Sequence, residues 1–143
     1  MTIVSVQFLS VHEAEDYVPA EPTVAISIIS PGRPDASLHA SMADVLRQYF
    51  HDTTPKDHNA AGTVVFSTEQ AQQIVGFIRT HHAEPEPRHL LIHCEAGISR
   101  SAAVAVFAAS ECRVPLSGQF AFLNPWVLTR LVDAAYPHYA FDE

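Results

Sequence analysis

Lysine is almost missing from this chain: Lys56 is the only one, and eight basic residues in all face sixteen acidic ones, for a formal charge of -8. Such a surface offers no broad cationic face to a nucleic-acid backbone or an anionic membrane, so neither is an expected partner and any bound anion must be held locally. Cysteine is nearly as scarce. Cys94 and Cys112 fall at opposite ends of an expected helix, roughly 20 Å apart at about 1.5 Å per residue, which is beyond disulfide reach. Two unpaired thiols suit a reducing compartment, and the cytoplasm is the expected location. No apolar run approaches the length of a membrane span. The opening "MTIVSVQFLSVHEAEDY" lacks a basic lead and turns acidic at Glu13, Glu15 and Asp16, where a secretory leader would stay apolar. Repeats, low-complexity tracts and linkers are missing too, and 143 residues with 48% hydrophobic content suffice for one domain, taken as 1–143.

What is present alternates between two periodicities. "TIVSVQFLS" (2–10) and "TVAISIIS" (23–30) are β-branched and read as strands, and "VLRQYF" (45–50) looks like a third. Ser10 and Glu13 have capping-box spacing ahead of a short helical segment that Pro19 and Pro22 would stop. Residues 31–44 read as a loop with a short helix, and "HDTTPKDHNAAG" as a polar loop. "STEQAQQIVGFIRTHH" (67–82) opens with a second capping box, Ser67 and Gln70, and repeats Ala71, Ile74, Val75 and Ile78 at helical spacing. "RHLLIH" (88–93) suits a buried strand. The alanine-rich segment from Ser99 to Glu111 suits a helix lying close on a sheet, and Asn124 with Pro125 opens a last helix with Leu128, Leu131 and Ala135 on one face. Strands alternating with helices predict a three-layer α/β domain with a largely parallel sheet flanked by helices, whose ligand site lies beyond the carboxyl ends of the strands.

The stretch "LLIHCEAGISRSAAVAVFAAS" (90–110) occupies that place, as a strand, a tight loop and a helix N-terminus in order. Backbone N–H groups there have no intrahelical partners, and the helix dipole adds partial positive charge, so the loop is suited to an anion. Gly97 lets the backbone curl so that the amides from Glu95 through Ala96, Gly97, Ile98 and Ser99 to Arg100 converge as a nest. A sulfur at the base of that nest, Cys94, would be stabilised as the thiolate and act as a nucleophile at neutral pH. Arg100 supplies a planar fork for two oxygens of a tetrahedral dianion.

These residues carry a resemblance. "HCEAGISRS" (93–101) is similar at every defining position to the His-Cys-x5-Arg-Ser/Thr signature of cysteine-dependent protein tyrosine and dual-specificity phosphatases. "AISIISPG", "YFHDTT", the helix from Ser67 and "NPWVL" are similar in order and spacing to small bacterial dual-specificity-like members. The resemblance implies a phosphatase-like fold and a cofactor-free, two-step reaction on phosphorylated proteins or peptides. Cys94 would attack phosphorus, Arg100 and the loop amides would hold the equatorial oxygens, Ser101 would hydrogen-bond the departing thiolate, and His93 would orient the loop. It also implies an upstream aspartic acid that protonates the leaving group. The polar loop offers Asp52 and Asp57, and Asp52 is preferred because it follows the third strand directly and its Asp-Thr pair looks like the family's acid loop.

Blander readings compete with each of these. A lone cysteine at a strand end is most often structural, but Gly97, Arg100 and Ser101 at matching spacing weigh against that for Cys94. Aspartates in polar loops usually solvate turns, which keeps Asp57 open beside Asp52. The histidine-rich stretches "HDTTPKDH" (51–58) and "HHAEPEPRH" (81–89) lack structural-zinc spacing, and no metal is expected. Cys112 and Trp126 read as packing residues. The expected activity is a phosphomonoester hydrolase for phosphotyrosine, extending to phosphoserine and phosphothreonine. The alternatives are a low-turnover phosphate-binding module, which would follow if no aspartate reaches the leaving group, and rhodanese-like or arsenate-reductase-like sulfur chemistry.

Overall fold

The computed structural model describes residues 2–55, 61–119 and 122–137. Five strands, β1 (Ile3–Leu9), β2 (Thr23–Ile29), β3 (Asp44–Tyr49), β4 (Arg88–His93) and β5 (Leu116–Ser117), form one sheet in the order β3-β2-β4-β1-β5, every pair parallel. Helices α1 (Val11–Asp16), α2 (Thr68–Ala83), α3 (Arg100–Cys112) and α4 (Pro125–Ala135) complete the chain order around it.

Burial on both faces explains why β2 and β4 read as near-continuous apolar runs. Val24, Ile26, Ile28, Leu90 and Ile92 point into the main core with α2, α3 and α4, whereas the alternate residues Ala25 and Leu91 pack with Ala14 of α1 on the opposite face. The result is a three-layer α/β domain. Ala102, Ala103, Ala105, Ala108 and Ala109 of α3 are all buried, and their small side chains let the helix lie close over β1 and β4. Both capping boxes form, Ser10 with Glu13 and Ser67 with Gln70. Asn124 caps α4 by accepting from Trp126 N and Val127 N.

Two features differ from the sequence-based expectation. The segment 31–43 contains no helix: its backbone bonds outward, Ser37 N–H to Glu15 Oε2 and Ala36 C=O from Arg47 Nη2, and Pro31 and Pro34 interrupt any helical ladder. The strand β5 was not foreseen, because two residues carry no periodicity; it is held by pairing Leu116 and Ser117 with Val6 and Gln7 of β1.

Parallel strands send all their carboxyl ends to one edge. That edge collects the chain after β1 (Ser10), after β2 (Ser30), after β3 (Phe50 to Thr53) and after the central β4 (Cys94), and the candidate site is assembled from these four segments.

Candidate active site

The loop from Cys94 to Ser99 turns from β4 into α3 around Gly97, whose φ is +73°. A side chain there would be strained by the left-handed backbone, and its Cβ would lie 2.3 Å from Ser10 N and 2.6 Å from Leu9 C. Glycine is therefore required twice, by conformation and by the close approach of β1's end. A backbone bond from Val11 N–H to Glu95 C=O (3.2 Å) ties the loop to the start of α1.

Cys94 is 2% exposed. Its Sγ receives the Gly97 N–H at 3.2 Å and lies 3.2 Å from Ser101 Oγ. His93, fully buried, stands behind it. Its Nδ1 lies 3.1 Å from Cys94 C=O, and a carbonyl can only accept, so Nδ1 carries the proton and Nε2 accepts from Ser27 Oγ–H at 2.6 Å. Arg47 Nη1 donates in turn to Ser27 Oγ at 3.5 Å. Burial, with the Arg47 and Arg100 charges adding to it, holds the His93 pKa below its ordinary value, so the imidazole is neutral and its tautomer is fixed.

Arg100, 5% exposed, points across the carboxyl edge of the sheet. Nη1 donates to Phe50 C=O (2.8 Å) and Ser30 Oγ (3.0 Å), and Nη2 to Glu95 Oε1 (2.7 Å). Its Nε is buried and, among the described residues, has no hydrogen-bond partner. An unpaired buried donor on a guanidinium is costly, and this one has the chemistry to bond an anion. Glu95 is the counter-charge. Oε1 also accepts from Ser30 Oγ (2.6 Å), and Oε2 pairs with the exposed Arg33 at 3.2 Å. Burial would raise the Glu95 pKa, but the hydrogen bonds from Arg100 and Ser30 and the charges of Arg100 and Arg33 outweigh it and hold the carboxyl below its ordinary value. The Glu95 side chain thus serves Arg100, and only its backbone could belong to an anion nest.

Asp52 lies in the loop after β3 and reaches the same structure from the other side. Its Oδ1 accepts from Ser99 Oγ and from Asn124 Nδ2, each at 2.9 Å. Cys94, Arg100, Ser101, His93, Ser99 and Asp52 are therefore joined in one connected arrangement. Asp57 lies outside the described residues. Cys112 stands apart in the core, where burial pushes its thiol up to about 11, and Trp126 packs against the core with Nε1 donating to Phe66 C=O at 2.9 Å. Among the described residues no three His, Cys, Asp or Glu side chains converge as a metal-binding group, and no helix is long and apolar enough to cross a membrane.

Sequence reasoning missed four contributors: Ser30 and the Phe50 carbonyl under Arg100, the Ser27 hydroxyl behind His93, and the amide of Asn124 on Asp52. All four lie in stretches singled out from the sequence, 25–32, 49–54 and 124–128, but no local pattern marks these contacts, and the place of Asn124 before Pro125 pointed to a helix cap.

Comparison of the chain with protein-family models, with curated proteins and with solved structures finds no match.

Proposed function

We propose that this protein is a cysteine-dependent phosphomonoester hydrolase acting on phosphotyrosine in proteins or peptides, and extending to phosphoserine and phosphothreonine. The observation that carries the proposal is the combination of Cys94 Sγ, bonded by the Gly97 amide and next to Ser101, with a buried Arg100 whose Nε has no partner among the described residues. The pattern "HCEAGISRS" supplies the same residues in the order that the phosphatase resemblance requires.

The proposed chemistry assigns each of these residues a role. The Cys94 thiolate attacks phosphorus in line, forming the S–P bond as the P–O bond to the leaving group breaks, and Asp52 gives its proton to the leaving oxygen. Arg100 and the loop amides meet the equatorial oxygens as charge spreads over them. Water then attacks phosphorus, Asp52 takes its proton back, and the S–P bond breaks to release inorganic phosphate. Ser101 donates a hydrogen bond to the sulfur as it regains its negative charge. His93, neutral and bonded to Cys94 C=O, keeps the strand end in register with the loop and takes no proton from the substrate.

The test is hydrolysis of p-nitrophenyl phosphate in the presence of EDTA by the wild type and by Cys94→Ser. Metal-independent turnover that vanishes in the variant is expected. Turnover that survives Cys94→Ser would overturn the proposal. A wild type that binds phosphate but does not hydrolyse the ester would make the chain a phosphate-binding module instead.

A further inference from the structure

An acid must come within about 3 Å of the oxygen it protonates, yet Asp52 is an exposed residue of a polar loop, where an untethered side chain would sample several rotamers. Here it is tethered twice. Ser99 is the N-cap residue of α3, but its hydroxyl makes no capping bond and donates to Asp52 Oδ1 instead. Asn124, 4% exposed, donates from Nδ2 both to Asp52 Oδ1 and to Thr53 C=O at 3.1 Å. The orientation of this amide is fixed by chemistry: its Oδ1 accepts from Trp126 N–H and Val127 N–H, which can only donate, so the nitrogen must face Asp52. The two tethers are themselves joined, Asn124 N–H to Ser99 C=O at 3.1 Å.

Both donors are neutral and both bond the same oxygen. Oδ1 can accept hydrogen bonds whether Asp52 is a carboxylate or a carboxylic acid, in the latter as the carbonyl oxygen. Oδ2 has no hydrogen-bond partner among the described residues and is the oxygen on which a proton can ride. A lysine or arginine in place of either tether would instead favour only the ionised form.

Resting on the phosphatase reading, we propose that Ser99 and Asn124 are positioning residues that hold Asp52 to the signature loop by Oδ1 in both protonation states, leaving Oδ2 to exchange the proton with the leaving group and then with water. Neither touches the reacting atoms through these side chains. Asn124 therefore has two separable jobs, capping α4 with its oxygen and aiming the acid with its nitrogen.

Asn124→Ser separates the two, because serine caps a helix N-terminus about as well as asparagine but brings no amide donor to Asp52. The experiment compares kcat and KM of the wild type, Asn124→Ser, Asp52→Asn and the double variant on a phosphotyrosine peptide and on p-nitrophenyl phosphate, with melting temperatures recorded. The expected result for Asn124→Ser is a loss of about tenfold to a hundredfold in kcat/KM on phosphotyrosine, as for a misplaced catalytic group, with a much smaller loss in kcat/KM on the activated ester, and no further selective loss when added to Asp52→Asn. Ser99→Ala, which leaves the α4 cap intact, should show the same selectivity and covers the case in which Asn124→Ser folds poorly. Equal losses on both substrates in both variants, or a selective loss that persists in the Asp52→Asn background, would overturn the positioning role while leaving the phosphatase reading in place. Absence of turnover by the wild type would overturn the reading, and the role with it.

Discussion

The two halves of the candidate site are built in opposite ways. The proposed nucleophile half, from His93 to Ser101, is contiguous in the chain with His93, Cys94, Gly97, Arg100 and Ser101 buried, and its geometry is enforced by the backbone, since Gly97 has no room for a Cβ. The acid half is an exposed aspartate whose position depends on partners 47 and 72 residues away, Ser99 and Asn124. A contiguous half tolerates little substitution at any position, whereas a half held by distant side chains can lose an anchor and keep its fold. Damage to the first at Cys94 or Arg100 should therefore reduce hydrolysis of every phosphoester alike, and damage to the second, its anchor Ser99 included, should depend on how much the leaving group needs a proton.

The largest effect that sharpens this contrast is expected for Arg100→Lys. Lysine keeps a positive charge but cannot bond Phe50 C=O, Ser30 and Glu95 while presenting another donor to phosphate, as the guanidinium can. Losses of roughly a hundredfold to a thousandfold, as for other lost transition-state donors, should appear with p-nitrophenyl phosphate and phosphotyrosine equally. A lysine variant with near-normal turnover would remove Arg100 from the clamp.

Next comes the acid. The phenolate of tyrosine, with a pKa of about 10, needs protonation far more than an activated aryl oxide. Asp52→Asn should lower kcat/KM on phosphotyrosine, which reports the steps up to leaving-group departure, by roughly a hundredfold or more and that on the activated ester much less, while Asp57→Asn should lower both slightly and about equally. A selective loss in Asp57→Asn would move the acid five residues along the chain and break the present contrast, since the tethers on Asp52 would then serve the loop and not the proton transfer.

The smallest effect concerns the counter-charge. Glu95→Gln keeps the shape but loses a charge-assisted bond, which should cost about 1–2 kcal/mol of stability near neutral pH. Because the Glu95 pKa is depressed in the folded state, its contribution is fully present above the unfolded value of about 4.3 and is lost as pH falls through the lower folded value. The gap in melting temperature between wild type and variant should therefore be constant from pH 7 to pH 5.5 and close towards pH 3. A gap that does not change with pH would mean that the Glu95 charge does not stabilise the loop.

The same contrast explains what could be read from the sequence. The helices with caps, the four longer strands and the nucleophile loop are local patterns, and Cys94, Gly97, Arg100 and Ser101 stood out because their spacing is the geometry. Asp52 was singled out through its place after a strand, but nothing local marks Ser99 as its donor, since a serine before a helix ordinarily caps it. Nor does "NPW" reveal that Asn124 spends its nitrogen on a loop 72 residues earlier. Ser30 under Arg100 is likewise an ordinary residue after a strand; only the parallel order of β2 and β4 brings the two together. Through-space partners of this kind become visible once strand order is known and not before.

A covalent phosphocysteine is the central chemical claim, and trapping it is its most direct test. In Asp52→Asn the activated ester should still load the sulfur, while hydrolysis of the intermediate, which needs Asp52 as a base, should slow. Acid quenching of that variant during turnover of p-nitrophenyl phosphate, followed by mass spectrometry of its peptides, should find one phosphoryl group on the peptide containing Cys94 and none in Cys94→Ser. Turnover with no phosphoryl group on Cys94 at any quench time, or a phosphoryl group on a different residue, would contradict the mechanism.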